Sequence, residues 1–145
     1  MDSSSINKEK LHVLAVDDSE VERAFMEKFL KNCDCQVTTA ENGARAMEYL
    51  SLENEPGKSK KLKVNMIITD HSMPEMTGYE LLKKVKESST MKDIPVVIVS
   101  SDNIPTLIKK CLEEGAKEFM LKPLQQSDKQ KLRSHLKEFQ QLIGK

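Results

Sequence analysis

The sequence predicts an α/β protein: a doubly wound, five-stranded parallel sheet in the order 2-1-3-4-5, covered by five helices. Three observations carry that expectation. Short apolar runs alternate with helix signals along the whole chain, the pattern of consecutive β-α units. The runs are near-continuously apolar, as in LHVLAV at 11–16 and VVIV at 96–99, where a sheet with one wet face would alternate. Four of them end in a residue able to handle phosphate: Asp17 and Asp18, then Asp70, Ser100 and Lys122. Parallel strands would gather those residues at one carboxyl edge, where open α/β sheets place their ligand sites.

The elements follow in order. Leu11 to Val16 is the first strand. Ser19 and Glu22 have capping-box spacing, Ser19 bonding a free amide while Glu22 reaches back. They open a helix whose Val21, Phe25, Phe29 and Leu30 share one face. Cys35 to Ala40 reads as the second strand, Ala44 to Leu52 as the second helix and Val64 to Thr69 as the third strand. The polar ENEPGKSKKLK between that helix and strand is an exposed connection with a Pro-Gly turn signal. Its Lys58, Lys60, Lys61 and Lys63 also offer a weak nuclear-import reading. Tyr79 to Glu87 is the third helix, Pro95 to Val99 the fourth strand, and Pro105 to Glu114 the fourth helix, stopped by Gly115. Glu118 to Leu121 is the fifth strand. A last helix carries Ser127 and Gln130 at capping-box spacing and Leu132, Leu136, Phe139 and Leu142 along one stripe.

Bulk properties narrow the function. A chain of 145 residues suits one domain with a proper core: a short flexible start over 1–8 and one domain over 9–143, with no room for an output module. Lys plus Arg and Asp plus Glu both total 23, so no global charge draws the chain to nucleic acid or anionic membrane. No run approaches membrane-spanning length, and the start resembles no secretion signal. Cys33, Cys35 and Cys111 are odd in number and lack C-x-x-C spacing, which fits free thiols. Of His12, His71 and His135, only His71 lies beside the predicted edge.

Taken singly, Asp17 and Asp18 read equally well as helix-capping turn residues and Lys122 as a surface ion-pair partner. Their conjunction at one edge is what carries weight. Crowded acids repel and raise one another's pKa unless a cation sits among them. A hard divalent metal beside a reactive carboxylate is the chemistry this favours.

At these residues the chain resembles the receiver domains of two-component response regulators. The likeness rests on Asp17 and Asp18, on the run DHSMPEMTG from Asp70 to Gly78, on Ser100 ending the fourth strand, and on Lys122 with Pro123 after the fifth. It covers about residues 9 to 143 and implies a flavodoxin-like receiver fold. The SSDN run at 100–103, the GYELLKKVKESS segment and the long loop before the third strand resemble the plant type-A regulators of cytokinin signalling.

The resemblance implies a role for each matching residue. Asp70 would be the phosphoacceptor. Asp18 and Asp70 would bind Mg²⁺ with the backbone carbonyl of Ser72, and Asp17 would act through a water. Lys122 would neutralise the phosphoryl group, Ser100 would sense it, and Phe119 would be the aromatic switch. Pro123 would follow a cis peptide bond, and Gly78 would supply a backbone angle other residues resist. Ser100 stands where Thr is more frequent, and Glu75 where many plant relatives have Gly.

The implied function is a stand-alone phosphorelay receiver, loaded by a histidine-containing phosphotransfer protein and indirectly by a sensor histidine kinase. It would damp cytokinin signalling as a monomer in cytoplasm and nucleus, touching neither nucleic acid nor membrane. Two other classes remain open. One is a phosphate-independent interaction module, the other a small phosphohydrolase with an aspartyl nucleophile. A mononucleotide site fits worse, because DDSEVE after the first strand is acidic and lacks glycines.

Overall fold

Apolar side chains that point alternately to both faces of a strand need cover on both faces. The computed structural model describes residues 11–53 and 63–143, and β1 (Leu11–Val16) has that cover: Leu14 and Val16 enter one core, Val13 and Ala15 the other. The chain continues through α1 (Glu20–Phe29), a 3-10 turn (Lys31–Cys33), β2 (Cys35–Ala40), α2 (Gly43–Glu53) and β3 (Met66–Asp70). Next come α3 (Gly78–Glu87), β4 (Val96–Ser100), α4 (Pro105–Glu113), β5 (Glu118–Leu121) and α5 (Gln126–Ile143). The five strands form one sheet in the order β2-β1-β3-β4-β5, parallel throughout. Fold class and strand order are as the sequence predicts.

One core joins Ile67 and Ile98 to Leu50, Leu81, Leu82, Val85 and Cys111 of α2, α3 and α4. The opposite core joins Ile68 and Val99 to Met26 and Leu30 beside α1 and to Leu132 and Leu136 of α5. The register then sets the functional edge. Val16 pairs with Thr69, so Asp17 and Asp70 stand level on neighbouring strands. Asp70 pairs with Val99 and Ser100 with Leu121, which puts Ser100 and Lys122 immediately beyond.

Several boundaries and faces differ from expectation. β3 starts at Met66 rather than Val64, because Asn65 leaves the strand geometry to bond His12 twice. Its backbone N–H donates to the His12 carbonyl at 2.7 Å, and its side-chain oxygen accepts from the His12 N–H at 2.7 Å. β4 takes in Ser100 and leaves out Pro95, whose carbonyl still accepts from Ile67. The buried line of α1 is Met26 and the capping Leu30, whereas Val21 is 77% and Phe25 42% exposed. Phe25 stacks on Phe29 instead, with ring centroids 5.4 Å apart.

At α5 the proposed Ser127–Gln130 cap does not form. The helix begins one residue earlier, and Asp128 Oδ2 accepts from the Gln125 N–H at 2.8 Å. Leu132 and Leu136 are buried as expected; the side chains of Phe139 and Leu142, like residues 1–10 and Lys58, Lys60 and Lys61, lie outside the described residues. Gly115 ends α4 at φ 110°, a left-handed stop. No disulfide joins Cys33, Cys35 and Cys111. No helix among the described residues is long and apolar enough to cross a membrane.

Candidate functional site

The site is built where β1, β3, β4 and β5 end, and each end is secured locally. After β1 the Asp17 N–H donates to Ala40 O at 3.1 Å, and Asp17 Oδ1 accepts from the Ser19 N–H at 3.0 Å. Ser19 caps α1 by accepting from the Glu22 N–H at 3.2 Å. The reciprocal half of the expected capping box is missing, because Asp17 already holds the Ser19 N–H. Arg23 completes the turn, donating from Nη1 to the Asp17 carbonyl at 2.8 Å.

After β3, His71 is the backbone keystone: its N–H donates to Val99 O, and its carbonyl accepts from the N–H groups of Met73 and Gly78. α3 then opens with a full capping box. Thr77 Oγ1 accepts from the Glu80 N–H at 3.1 Å while Glu80 Oε1 accepts from the Thr77 N–H at 2.9 Å. The T-x-x-E spacing at Thr77 and Glu80 is the local sequence signal for this cap. Gly78 serves packing rather than the unusual backbone angle expected of it. A Cβ there would meet the Asp70 carbonyl oxygen at 2.6 Å and His71 Cα at 2.9 Å, so only glycine lets α3 start against the backbone that carries Asp70.

The left-handed position in this loop is Glu75, at φ 70°. A non-glycine residue there is strained by about 1–2 kcal/mol. Glycine's extra unfolded-state freedom offsets part of that, so Glu75→Gly is expected to stabilise the fold by about 0.5–1 kcal/mol. Denaturant midpoints of the two proteins check this.

Oxygen atoms of Asp17, Asp18 and Asp70 all lie within 4.8 Å of one another, with Asp17 and Asp70 buried and Asp18 exposed. Lys122 reaches into them: its Nζ is 3.0 Å from Asp70 Oδ1, 3.2 Å from Asp17 Oδ2 and 3.6 Å from Glu22 Oε1. The Lys122–Pro123 peptide is cis, as the resemblance implied. The local spacing of Glu22 suggests only a cap; nothing local signals its contact with Lys122, 100 positions away. The donor set is all carboxylate oxygen, the set a hard divalent cation takes, and three acids against one partly buried lysine leave negative charge for it to neutralise.

Ser100 is buried at the end of β4, but its hydroxyl engages a turn. It donates to Asp102 O at 3.2 Å and accepts from the Asp102 N–H at 3.0 Å. Phe119 lies half-buried on β5 against the core of α2, α3 and α4. Ser72 is exposed two residues beyond Asp70. A cavity of about 430 Å³ adjoins the cluster between α1 and the β5–α5 turn, lined by Val21, Phe25, Met26 and Leu124 and reaching Asp70 and Lys122.

Burial is the main force raising the Asp70 pKa above the ordinary carboxylate value. The Lys122 hydrogen bond opposes it, and the charges of Asp17 and Asp18 add to it. Burial also works against the Lys122 ammonium, yet Asp70 and Asp17 outweigh it and hold its pKa above the usual lysine range. An isolated ion pair would have lowered the Asp70 pKa; burial and two neighbouring acids outweigh one lysine. His71 is pushed down by burial, against the opposing charges of Asp102 and Glu80.

A folded-state pKa above the unfolded value means that ionising Asp70 costs stability. That cost is absent below the unfolded value, near 3.9, and is complete above the raised folded value. Asp70→Asn is therefore expected to be more stable than wild type at neutral pH without divalent cations. Its advantage should shrink as the pH falls through the Asp70 titration. Urea midpoints in EDTA across pH check the sign; equal stability at every pH would contradict it.

This geometry has known counterparts. A model of the response regulator receiver domain matches residues 13–137. The chain belongs to the response regulator receiver family. The two-component response regulator ARR17 of Arabidopsis thaliana is 60% identical over 132 residues, covering 88% of this chain and 86% of the relative. ARR15 of the same plant is 55% identical, covering 90% of this chain and 64% of the relative, which extends well beyond it. The chemotaxis protein CheY4 of Vibrio cholerae has the same receiver architecture, with a TM-score of 0.71 at 28% identity over 88% of this chain and 98% of its own. The resemblance to plant type-A regulators is borne out. A receiver of this family is a two-component signalling protein rather than a classical enzyme.

Proposed function

We propose that this receiver accepts a phosphoryl group on Asp70 from a histidine-containing phosphotransfer protein, itself loaded by a sensor histidine kinase. The observation that carries the reading is the placement of Lys122 Nζ 3.0 Å from Asp70 Oδ1, beside a clustered acid pair, at the carboxyl edge of the sheet. A lone surface aspartate would lack both the cation and the oxygen donors.

Transfer is one displacement. An oxygen of the Asp70 carboxylate attacks phosphorus and the O–P bond forms. The P–N bond to the donor imidazole breaks, its electron pair returning to the ring nitrogen. The phosphoryl group passes through a loose transition state with charge on its outer oxygens, so positioning and neutralisation dominate. Asp18, Asp70 and the Ser72 carbonyl would hold Mg²⁺, with Asp17 acting through a water, and the ion would supply part of that neutralisation. Lys122 supplies the rest from the protein, exchanging Asp70 for the phosphoryl oxygens.

The Ser100 hydroxyl then has a new acceptor. Turning from Asp102 toward the phosphoryl group would release the turn after β4, and Phe119, half-buried on the neighbouring strand two residues before the Ser100 partner Leu121, would follow inward. Acting in cytoplasm and nucleus, the protein would compete with other regulators for phosphate and so damp cytokinin signalling. Its likeness to the Arabidopsis two-component response regulators supports the signalling part of that reading.

Incubation with a radiolabelled, phosphorylated histidine phosphotransfer protein tests the reading. Label is expected to move to wild type, in a base-labile form, and not to Asp70→Asn. Tight complex formation without any movement of label would support a phosphate-independent module instead.

A further inference from the structure

The capping-box spacing of Ser19 and Glu22 hides a fourth acid at the site. Asp17 Oδ1 takes the Ser19 N–H that a capping box would give to Glu22. The Glu22 carboxylate is thereby released to point along α1 toward Lys122, where Oε1 stops 3.6 Å from Nζ. Its side chain is 42% exposed and lines the cavity that opens beside Asp70. Glu22 thus sits at the mouth of the site, paired to the same lysine that reaches Asp70.

We infer that Glu22 is a specificity-determining residue that discriminates phosphoryl donors by charge. The inference rests on the acceptor role of Asp70. Any donor that reaches Asp70 must bring its phosphoryl oxygens to Lys122 and displace Glu22 from it. A donor with a second negative charge is repelled by Glu22 as it does so. A donor whose leaving nitrogen carries a positive charge offers Glu22 a partner in exchange for Lys122. Protonated phosphohistidine is of that kind, and Val21 and Phe25 beside Glu22 give an aromatic ring an apolar wall. The bond changes at Asp70 are unaltered: O–P forms, P–N breaks, and the leaving ring keeps the proton on its other nitrogen.

The test uses two small donors with Mg²⁺. Acetyl phosphate is a dianion at neutral pH, and phosphoramidate is a monoanion because its nitrogen is protonated. Removing the one negative charge that Glu22 holds beside Lys122 in a half-wet site changes encounter and binding by about tenfold for the dianion and at most about threefold for the monoanion. Glu22→Gln is therefore expected to speed labelling by acetyl phosphate about tenfold, lowering the ratio of the phosphoramidate rate to the acetyl phosphate rate by about threefold or more relative to wild type. Added salt should narrow the difference between wild type and variant. Glu20→Gln removes an equal charge from the same helix turn, from a side chain that is exposed, and should leave the donor ratio near the wild-type value.

An unchanged ratio in Glu22→Gln, with both donors still labelling the protein, would overturn the inference and leave the acceptor role standing. A ratio moved equally by Glu20→Gln would reduce Glu22 to one contributor to a general field and would overturn it too. Failure of wild type to take label from either donor would instead remove the acceptor reading beneath it.

Discussion

Lys122→Met is expected to suffer two separable losses. The first is in rate: with its ammonium gone, the phosphoryl oxygens lose the protein's own neutralising group, and uptake on Asp70 should fall about 100-fold or more. The second is in stability. Lys122 is 20% exposed, between Asp17 at 7% and Asp70 at 9%. Removing one partner of a largely buried ionic group leaves the others uncompensated, which here should cost about 2–4 kcal/mol. The two losses respond differently to Mg²⁺. A cation among the acids would recover much of the stability by binding the folded state. It would not return the rate, because it cannot occupy the position of Nζ. Thermal melts with and without Mg²⁺, alongside labelling rates, separate them. A variant that labels at the wild-type rate would remove Lys122 from the transfer step.

Gly78→Ala is expected to be the most damaging single-methyl change among the glycines described. The added Cβ would sit 2.6 Å from the Asp70 carbonyl oxygen and 2.9 Å from His71 Cα. Both are backbone atoms, and the same backbone is tied down by His71 bonds to Val99, Met73 and Gly78. Neither side can yield without moving the start of α3 or the end of β3. A cost of about 2–4 kcal/mol follows from overpacking of this kind, which for a chain of this size lowers Tm by roughly 5–15 °C. Phosphoryl uptake should fall as well, since Asp70 moves with its backbone. Gly43 provides the comparison. There the nearest atoms an added methyl would meet all belong to the Met76 side chain rather than to backbone, so Gly43→Ala should cost less than Gly78→Ala. Equal melting temperatures for the two variants would show that the loop after β3 adapts more freely than its bonding suggests.

Which parts of this structure were legible in the sequence depends on how far apart the deciding atoms lie along the chain. Asp17, Asp70, Ser100 and Lys122 were legible because each directly ends an apolar run, and a parallel sheet turns that local fact into a shared edge. The same alternation gives the doubly wound class, of which 2-1-3-4-5 is one of the two common strand orders. Boundaries failed where a side chain outbid the backbone pattern. Asn65 bonds His12 and postpones β3, and Asp128 rather than Ser127 governs the start of α5.

The outward face of α1 failed for another reason. Helical spacing groups Val21 and Phe25 with Leu30, but only packing decides how much of that group α5 covers. Glu22 is the clearest case. Its spacing to Ser19 satisfies a local motif, and the competing acceptor, Asp17, is also local. The outcome was still hidden, because it turns on a lysine brought alongside by β5. Gly78 was picked out correctly and explained wrongly: the sequence shows a glycine, and only the fold shows the Asp70 carbonyl against it.

The acceptor role of Asp70 is tested most directly by the intact mass of the protein after incubation with Mg²⁺ and phosphoramidate. Wild type, Asp70→Asn, and wild type in EDTA should be compared. One phosphoryl adduct on wild type, absent from the variant and from the chelated sample, is the expected result. An adduct of the same size on Asp70→Asn would place the acceptor elsewhere, and no adduct on wild type would contradict a phosphoryl-accepting receiver altogether.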